Sequence, residues 1–205
     1  MELSVFEGKD FEILLEETLE AMKLSKKDIM FKKAERKGGL FKGTIFELHL
    51  ITLEKVATFI IEYLKKLITD MGLEVTFESK IRDGQISIKM YSDNNPILIG
   101  KNGQTLSALQ NIIKQVVSKE ISMYPNVVLD VENYKDKQLK NIERLAKNIA
   151  REVIQTKIDA KMESMNSYER RIVHNALTNY KNIYTTSEGE EPHRHIIVKY
   201  KEETE

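Results

Sequence analysis

An α+β chain of three small consecutive domains is predicted by three features of the 205-residue sequence. Apolar residues switch repeatedly between a spacing near 3.6 and strict alternation, glycines punctuate the switches, and neither an internal repeat nor a flexible linker separates the segments. Residues 1–52 read as a βαββ unit, residues 53–132 as an α-β-β-α-α-β unit, and residues 133–205 as a long leading helix followed by a small sheet.

Each element has its own signal. Leu3 to Glu7 is a short strand, and Phe11, Leu14, Leu15, Thr18, Leu19 and Met22 then recur at helical spacing between Asp10 and Lys23. Ile29 to Glu35 and Thr44 to Ile51 are strands on either side of a lysine- and glycine-rich turn, residues 37–43. In the second, Ile45, Glu47 and His49 face away from Phe46, Leu48 and Leu50. From Leu53 a helical stripe of Val56, Ile60, Leu64, Leu67 and Met71 runs to Gly72, placed as a helix C-terminal glycine. Leu73 to Ser79 and Gln85 to Tyr91 form a hairpin through Asp83-Gly84. A helical turn at Pro96 to Ile99, the step Gly100 to Gly103, a helix with Leu106, Leu109, Ile113 and Val116 inward, and a strand at Asn126 to Val131 complete the second unit. The third opens with a helix from Tyr134 to Thr156 whose seam is Leu139, Ile142, Leu145, Ala146, Ile149 and Val153. A strand at Ile158 to Ser164, a helix capped by Asn166 or Ser167 and running to about Asn179, and strands at Ile183 to Thr186 and His195 to Tyr200 follow.

Composition narrows the function classes. Acidic and basic residues balance at 32 each, so attraction to nucleic acid or to a membrane surface has to come from local patches. Such asymmetry exists: Glu12, Glu16, Glu17 and Glu20 lie on the first helix, whereas Lys32, Lys33, Arg36, Lys37 and Lys42 crowd the region after it. No apolar run approaches the roughly 20 residues of a transmembrane helix, and the first residues do not read as a secretory signal. With no cysteine, disulfides, thiolate metal sites and cysteine nucleophiles are excluded together, which suits a cytoplasmic protein.

The most specific stretch is Gly100-Lys101-Asn102-Gly103. Without side chains, the two glycines allow a sugar-phosphate backbone to lie against the main chain. Because a helix begins at Gly103, the expected unpaired amides of Gln104 and Thr105 and the positive end of the helix dipole face the same place, which favours phosphate oxygens. Lys101 adds a cation and Asn102 a neutral polar group. A helix-to-helix turn using glycine for geometry alone is the other reading. The stretch is neither a Walker phosphate loop nor a dinucleotide-binding fingerprint.

Arg170 and His174 stand four residues apart, and on a helix they project from one face, one turn from each other. A guanidinium fork and an imidazole so placed suit a phosphate, although the spacing is equally that of a solvated helix surface. Downstream, Ser187, Gly189 and Arg194 flank the closing strand, and Arg171 and Arg194 are accessory candidates for phosphate contacts. His193 and His195 alternate onto one strand face where His174 could join them. Without a cysteine nearby, and with Glu188, Glu190 and Glu191 equally suited to a solvated turn, no metal site is assigned. Apart from His174 there is no candidate general base with an evident partner and no paired-carboxylate cluster within the two binding motifs, so no catalytic residue and no cofactor is assigned.

The Gly100 to Gly103 step inside its α-β-β-α-α-β order resembles a type II KH domain, which implies that a strand of about four nucleotides is clamped across the loop. The Arg170/His174 segment resembles an R-3-H domain, and that resemblance implies single-stranded nucleic-acid binding. The lysine-glycine turn, including Lys37 and Lys42, resembles the Jag N-terminal domain, although Phe41 stands where that family usually carries a further glycine. In this order the three resemble the Jag (KhpB) family of bacterial RNA-binding proteins. The resemblance implies a cytoplasmic binder of single-stranded RNA, or of single-stranded DNA, acting as an RNA chaperone or post-transcriptional regulator. It also implies a small single-KH-domain partner and a link to cell-wall synthesis, elongation and division. Homo-oligomerisation and peripheral association with membrane proteins stay open, as do two other classes: a protein-interaction scaffold and a nucleic-acid-processing enzyme.

Overall fold

The computed structural model describes residues 1–37 and 44–202. The turn at residues 38–43, with Lys42, lies outside the described residues, whereas Lys37 ends a strand. The α+β class holds, with three small sheets of three strands each among the described residues. The chain divides into two compact units, Met1–Asn133 and Tyr134–Glu205.

The first unit opens with β1 (Ser4–Gly8), α1 (Phe11–Met22), β2 (Ile29–Lys37) and β3 (Thr44–Thr52), the strands forming an antiparallel sheet in the order β1-β3-β2. Asp10 caps α1 by accepting the amides of Glu12 and Ile13. The helix lays Leu14 and Leu15 on Ile29, Leu48 and Leu50, while its four glutamates stay exposed. A turn then fixes where the next helix starts. The Asp28 carboxylate accepts the hydroxyl and amide of Ser25, and the Asp28 carbonyl accepts the amide of Leu53.

Leu53 begins α2 (Leu53–Asp70), followed by β4 (Val75–Arg82), β5 (Gln85–Ser92), α3 (Asn95–Ile99), α4 (Gln104–Ile121) and β6 (Val127–Val131). Asp83 and Gly84 both adopt positive φ, the backbone of a tight primed hairpin turn, and β6 lies parallel to β5 in the order β4-β5-β6. The buried stripe of α2 is Leu53, Val56, Ala57, Ile60, Leu64 and Ile68, so Ile68 takes the core position expected for Leu67, and Met71 is exposed. In α4, Val117 rather than Val116 is buried, alongside Leu106, Leu109, Ile113 and Ile121. Strand β4 starts two residues later than Leu73, because Gly72 at positive φ and the Leu73 amide, bonded to the Ile68 carbonyl, still close the helix.

The second unit comprises α5 (Tyr134–Thr156), β7 (Ala160–Ser164), α6 (Ser167–Leu177), β8 (Ile183–Glu188) and β9 (His195–Tyr200), with antiparallel order β7-β9-β8. Its core is Ala146, Ala150, Val153, Met162, Val173, Leu177, Ile183, Ile196 and Val198. Leu145, expected in the seam, is half exposed. The small side chains of Ala146 and Ala150 form the contact line instead. Ile158 is likewise exposed ahead of β7.

Asp28 supplies a stability prediction. The Ser25 hydroxyl, then the Ser25 amide, hold its carboxyl below the ordinary value of 3.8. A depressed folded value stabilises the fold above the ordinary pKa and is lost as pH falls through the folded one. Thermal melts of Asp28→Asn are therefore expected to lie below those of the unaltered protein at neutral pH, with the gap closing on acidification below the ordinary aspartate range.

Candidate nucleic-acid interface

The step between α3 and α4 is built by backbone geometry. Pro96 sits in the first turn of α3, the Gly100 amide closes that helix on the Pro96 carbonyl at 2.8 Å, and Gly100 then departs at φ 70°. Lys101–Gly103 form one 3-10 turn in which Asn102 and Gly103 also have positive φ, 51° and 78°. Asn is among the few residues with a side chain that tolerate this region. A Cβ at Gly100 would lie 2.2 Å from the Thr105 hydroxyl and 2.9 Å from its amide nitrogen. The glycine is thus required by the close seating of the start of α4 on the end of α3.

Lys101 and Asn102 are exposed, Gly100 is half-buried and Gly103 is buried. No side chain caps α4, which starts at the residue after Gly103. One expectation changes here: the Gln104 amide is not unpaired, because it donates to the Lys101 carbonyl. This turn hydrogen bond ties the start of α4 back to Lys101, with Thr105 seated beside Gly100. Among the described residues Lys101 has no ion pair. The arrangement presents a cation, a carboxamide and a helix N-terminus without a side-chain cap, which is an anion-binding chemistry.

In the second unit, Asn166 and Glu169 form a reciprocal capping box that starts α6 and so fixes the rotation of its Arg170/His174 face. The Met165 amide bonds the Arg194 carbonyl at 3.0 Å, tying the segment before β9 to the start of α6. Arg170 is only 11% exposed at its side chain and donates from Nη1 to the Met165 carbonyl and to Glu191 Oε1, both at 2.8 Å. His174 is exposed, and its Nδ1 shares a 2.7 Å hydrogen bond with the Thr185 hydroxyl on β8. Arg194 Nε donates to the Ser187 hydroxyl at 3.0 Å, whereas Arg171 is exposed with no ion pair among the described residues. Glu188 accepts Lys199 Nζ and the Thr186 hydroxyl, which hold its carboxyl below the usual glutamate range. His195 Nδ1 donates to the His193 carbonyl. Among the described residues no group of three or more His, Asp or Glu side chains is placed to hold a metal.

Two features went unread in the sequence. Glu191 lies 21 positions from Arg170, and no periodicity links them; Thr185 pairs with His174 only because β8 passes beside α6.

Comparison with known proteins agrees with this layout. The family model "KhpA/KhpB, KH domain" matches residues 57–129, and the R-3-H domain model matches residues 140–200. The chain is therefore a protein with a KH domain followed by an R-3-H domain. It is 43% identical over 145 residues to the RNA-binding protein KhpB of Clostridium symbiosum, covering 70% of this chain and 65% of that protein. Against the KhpB of Lactiplantibacillus plantarum it is 31% identical over 137 residues, covering 67% of this chain and 42% of the other. Against that of Bacillus subtilis it is 39% identical over 107 residues, about half of each. The chain belongs to the KhpB family, and the matched part spans between 42% and 65% of the length of these relatives.

The contact at Gly100 generates a prediction. Gly100→Ala places a methyl group against Thr105 in a backbone region that side chains disfavour, and a loss of about 1–3 kcal/mol is expected in urea unfolding.

Proposed function

We propose that this chain binds single-stranded RNA, gripping the sugar-phosphate backbone at two places. The carrying observation is the Gly100–Gly103 turn, where Lys101 and Asn102 stand exposed beside the start of α4. Phosphates lie across Gly100, Lys101, Asn102 and Gly103, with Gln104 contributing its side chain while its amide stays in the turn. Arg170, Arg171, His174 and Arg194 form the second grip, on α6 and the segment before β9. Lys37 and Lys42 are accessory contacts from the first domain. The name of the relatives, RNA-binding protein, supports the reading. The protein binds without turning its ligand over, as an RNA chaperone or post-transcriptional regulator in the cytoplasm. A partner with a single KH domain and a role in cell-wall synthesis, elongation and division complete the proposal. Among the described residues no helix is long and apolar enough to cross a membrane.

Arg170 approaches RNA from an occupied state. Glu191 stands where a phosphate oxygen would be received, so binding exchanges one anion for another while the Met165 carbonyl keeps the guanidinium in place. With its carboxylate largely exposed, the ion pair is worth no more than about 1 kcal/mol, which a phosphate can displace.

Two measurements test this. Replacing Lys101 and Asn102 with aspartate puts two carboxylates in the phosphate path, and RNA affinity measured by anisotropy is expected to fall at least tenfold with circular dichroism unchanged. Unchanged affinity would remove the loop from the site. Glu191→Gln removes the competing charge and is expected to raise RNA affinity by up to about fivefold, corresponding to the upper end of an exposed ion pair. A variant with weaker binding and an intact melt would show that Glu191 organises the site instead of competing for it.

A further inference from the structure

Helices cover the KH sheet on one side only: α2 and α4 bury Ile86, Ile88, Met90, Val127, Leu129 and Val131. The opposite side follows from the pairing register. Lys80, Ser87 and Val128 form one row across it, and Glu78, Lys89 and Asp130 the next, while Arg82 pairs with Gln85 at the hairpin end. Charge is therefore polarised along the strands. Lys80 and Arg82 lie toward the hairpin; Glu78 and Asp130 lie farther along, where Glu78 accepts the Tyr91 hydroxyl.

At the hairpin end the surface dips into a concavity of about 450 Å³ lined by Lys80, Arg82, Asp83, Gln85, Ser87 and Asn126. Lys27 joins it from the βαββ segment, with Nζ 2.7 Å from Asp83 Oδ1, and its carbonyl lies 4.0 Å from where a Cβ on Gly84 would stand. Arg82 reaches the other Asp83 oxygen at 3.5 Å. Two cations, Lys27 and Arg82, thus share the Asp83 carboxylate, and Lys80, the third cation at the concavity, has no ion pair among the described residues. The Gln85 amide donates to the Asn126 side-chain carbonyl at 3.3 Å, leaving carboxamide donors and acceptors along the floor.

We propose that this concavity is a second groove for single-stranded RNA, separate from the Gly100–Gly103 step; it rests on the RNA-binding reading. Its net positive charge suits phosphates, and its polar floor of carboxamides and a hydroxyl suits base edges, which present both donors and acceptors. Strand β5 runs from Gln85 at this end to Ser92, three residues before α3 begins its approach to the glycine step. Seven strand rises of about 3.3 Å place the groove roughly 23 Å along the sheet from that end, and on its other face. A strand that fills only the glycine step does not reach it, whereas a long strand does. Through Lys27 the groove also gives the βαββ segment a place on the RNA.

The test compares the unaltered chain with the Lys80→Gln/Arg82→Gln double variant by fluorescence anisotropy, using random-sequence RNA of about four nucleotides and of about twenty-five nucleotides at several salt concentrations. Both side chains are exposed, and a thermal melt verifies the fold. Equal affinity for the short strand is expected. For the long strand the variant binds about fivefold more weakly at low salt, with a log-log salt slope shallower by about 1.4, or about 0.7 for each lost phosphate contact. Unchanged affinity and slope for the long strand overturn the groove. An equal loss for both strands also overturns it, since the effect is then not confined to a separate site. If the unaltered protein binds neither strand, the RNA-binding reading itself fails and the groove falls with it. Loss of self-association in the variant, with RNA binding unchanged, overturns the groove and assigns the face to a protein contact.

Discussion

The close contact between Gly100 and Thr105 is the constraint on which the KH architecture turns. The chain has to leave α3, turn within three residues and enter α4 so that Leu106, Leu109, Ile113 and Val117 fall on the sheet. Positive φ at Gly100, Asn102 and Gly103 achieves the turn. The missing Cβ at Gly100 lets Thr105 sit against it. Packing and the proposed binding then share one cause, because the turn that seats α4 also leaves Lys101 and Asn102 exposed and the helix start without a side-chain cap. A residue type chosen for backbone reasons creates the anion-facing surface.

The second unit reaches a comparable surface by other means. Its arginine is nearly enclosed, and an enclosed guanidinium needs acceptors. The Met165 carbonyl supplies one from the element that starts α6, and Glu191 supplies the other from the segment that leads into β9. One acceptor is fixed backbone, and the other is an exposed side chain. That division leaves Arg170 held in position while one of its partners stays exchangeable.

The element order and most boundaries were legible in the sequence because periodicity and turn residues agree. The Asp83-Gly84 hairpin, the Gly72 helix end and α5 from Tyr134 to Thr156 are cases where local chemistry suffices. Sequence and structure part where adjacent positions are both apolar. Leu67 and Ile68, or Val116 and Val117, both suit a helical stripe, and only the helix rotation against its sheet selects one. At Leu145 the larger side chain suggested the seam, but close packing of α5 selected the small Ala146 and Ala150. In the site, the glycine spacing and the Arg170/His174 pair could be read directly. The Gln104 turn bond, the Thr105 contact and the Glu191 partner depend on φ values and chain returns that no spacing encodes.

The central claim, that main chain and side chains at residues 100–105 receive the phosphates of a single strand, is tested most directly by titrating isotopically labelled protein with short single-stranded RNA and following amide resonances. The account predicts that Gly100, Lys101, Asn102 and Thr105 shift progressively with RNA and return when salt is raised. Saturable RNA binding that leaves these four amides unmoved would contradict it.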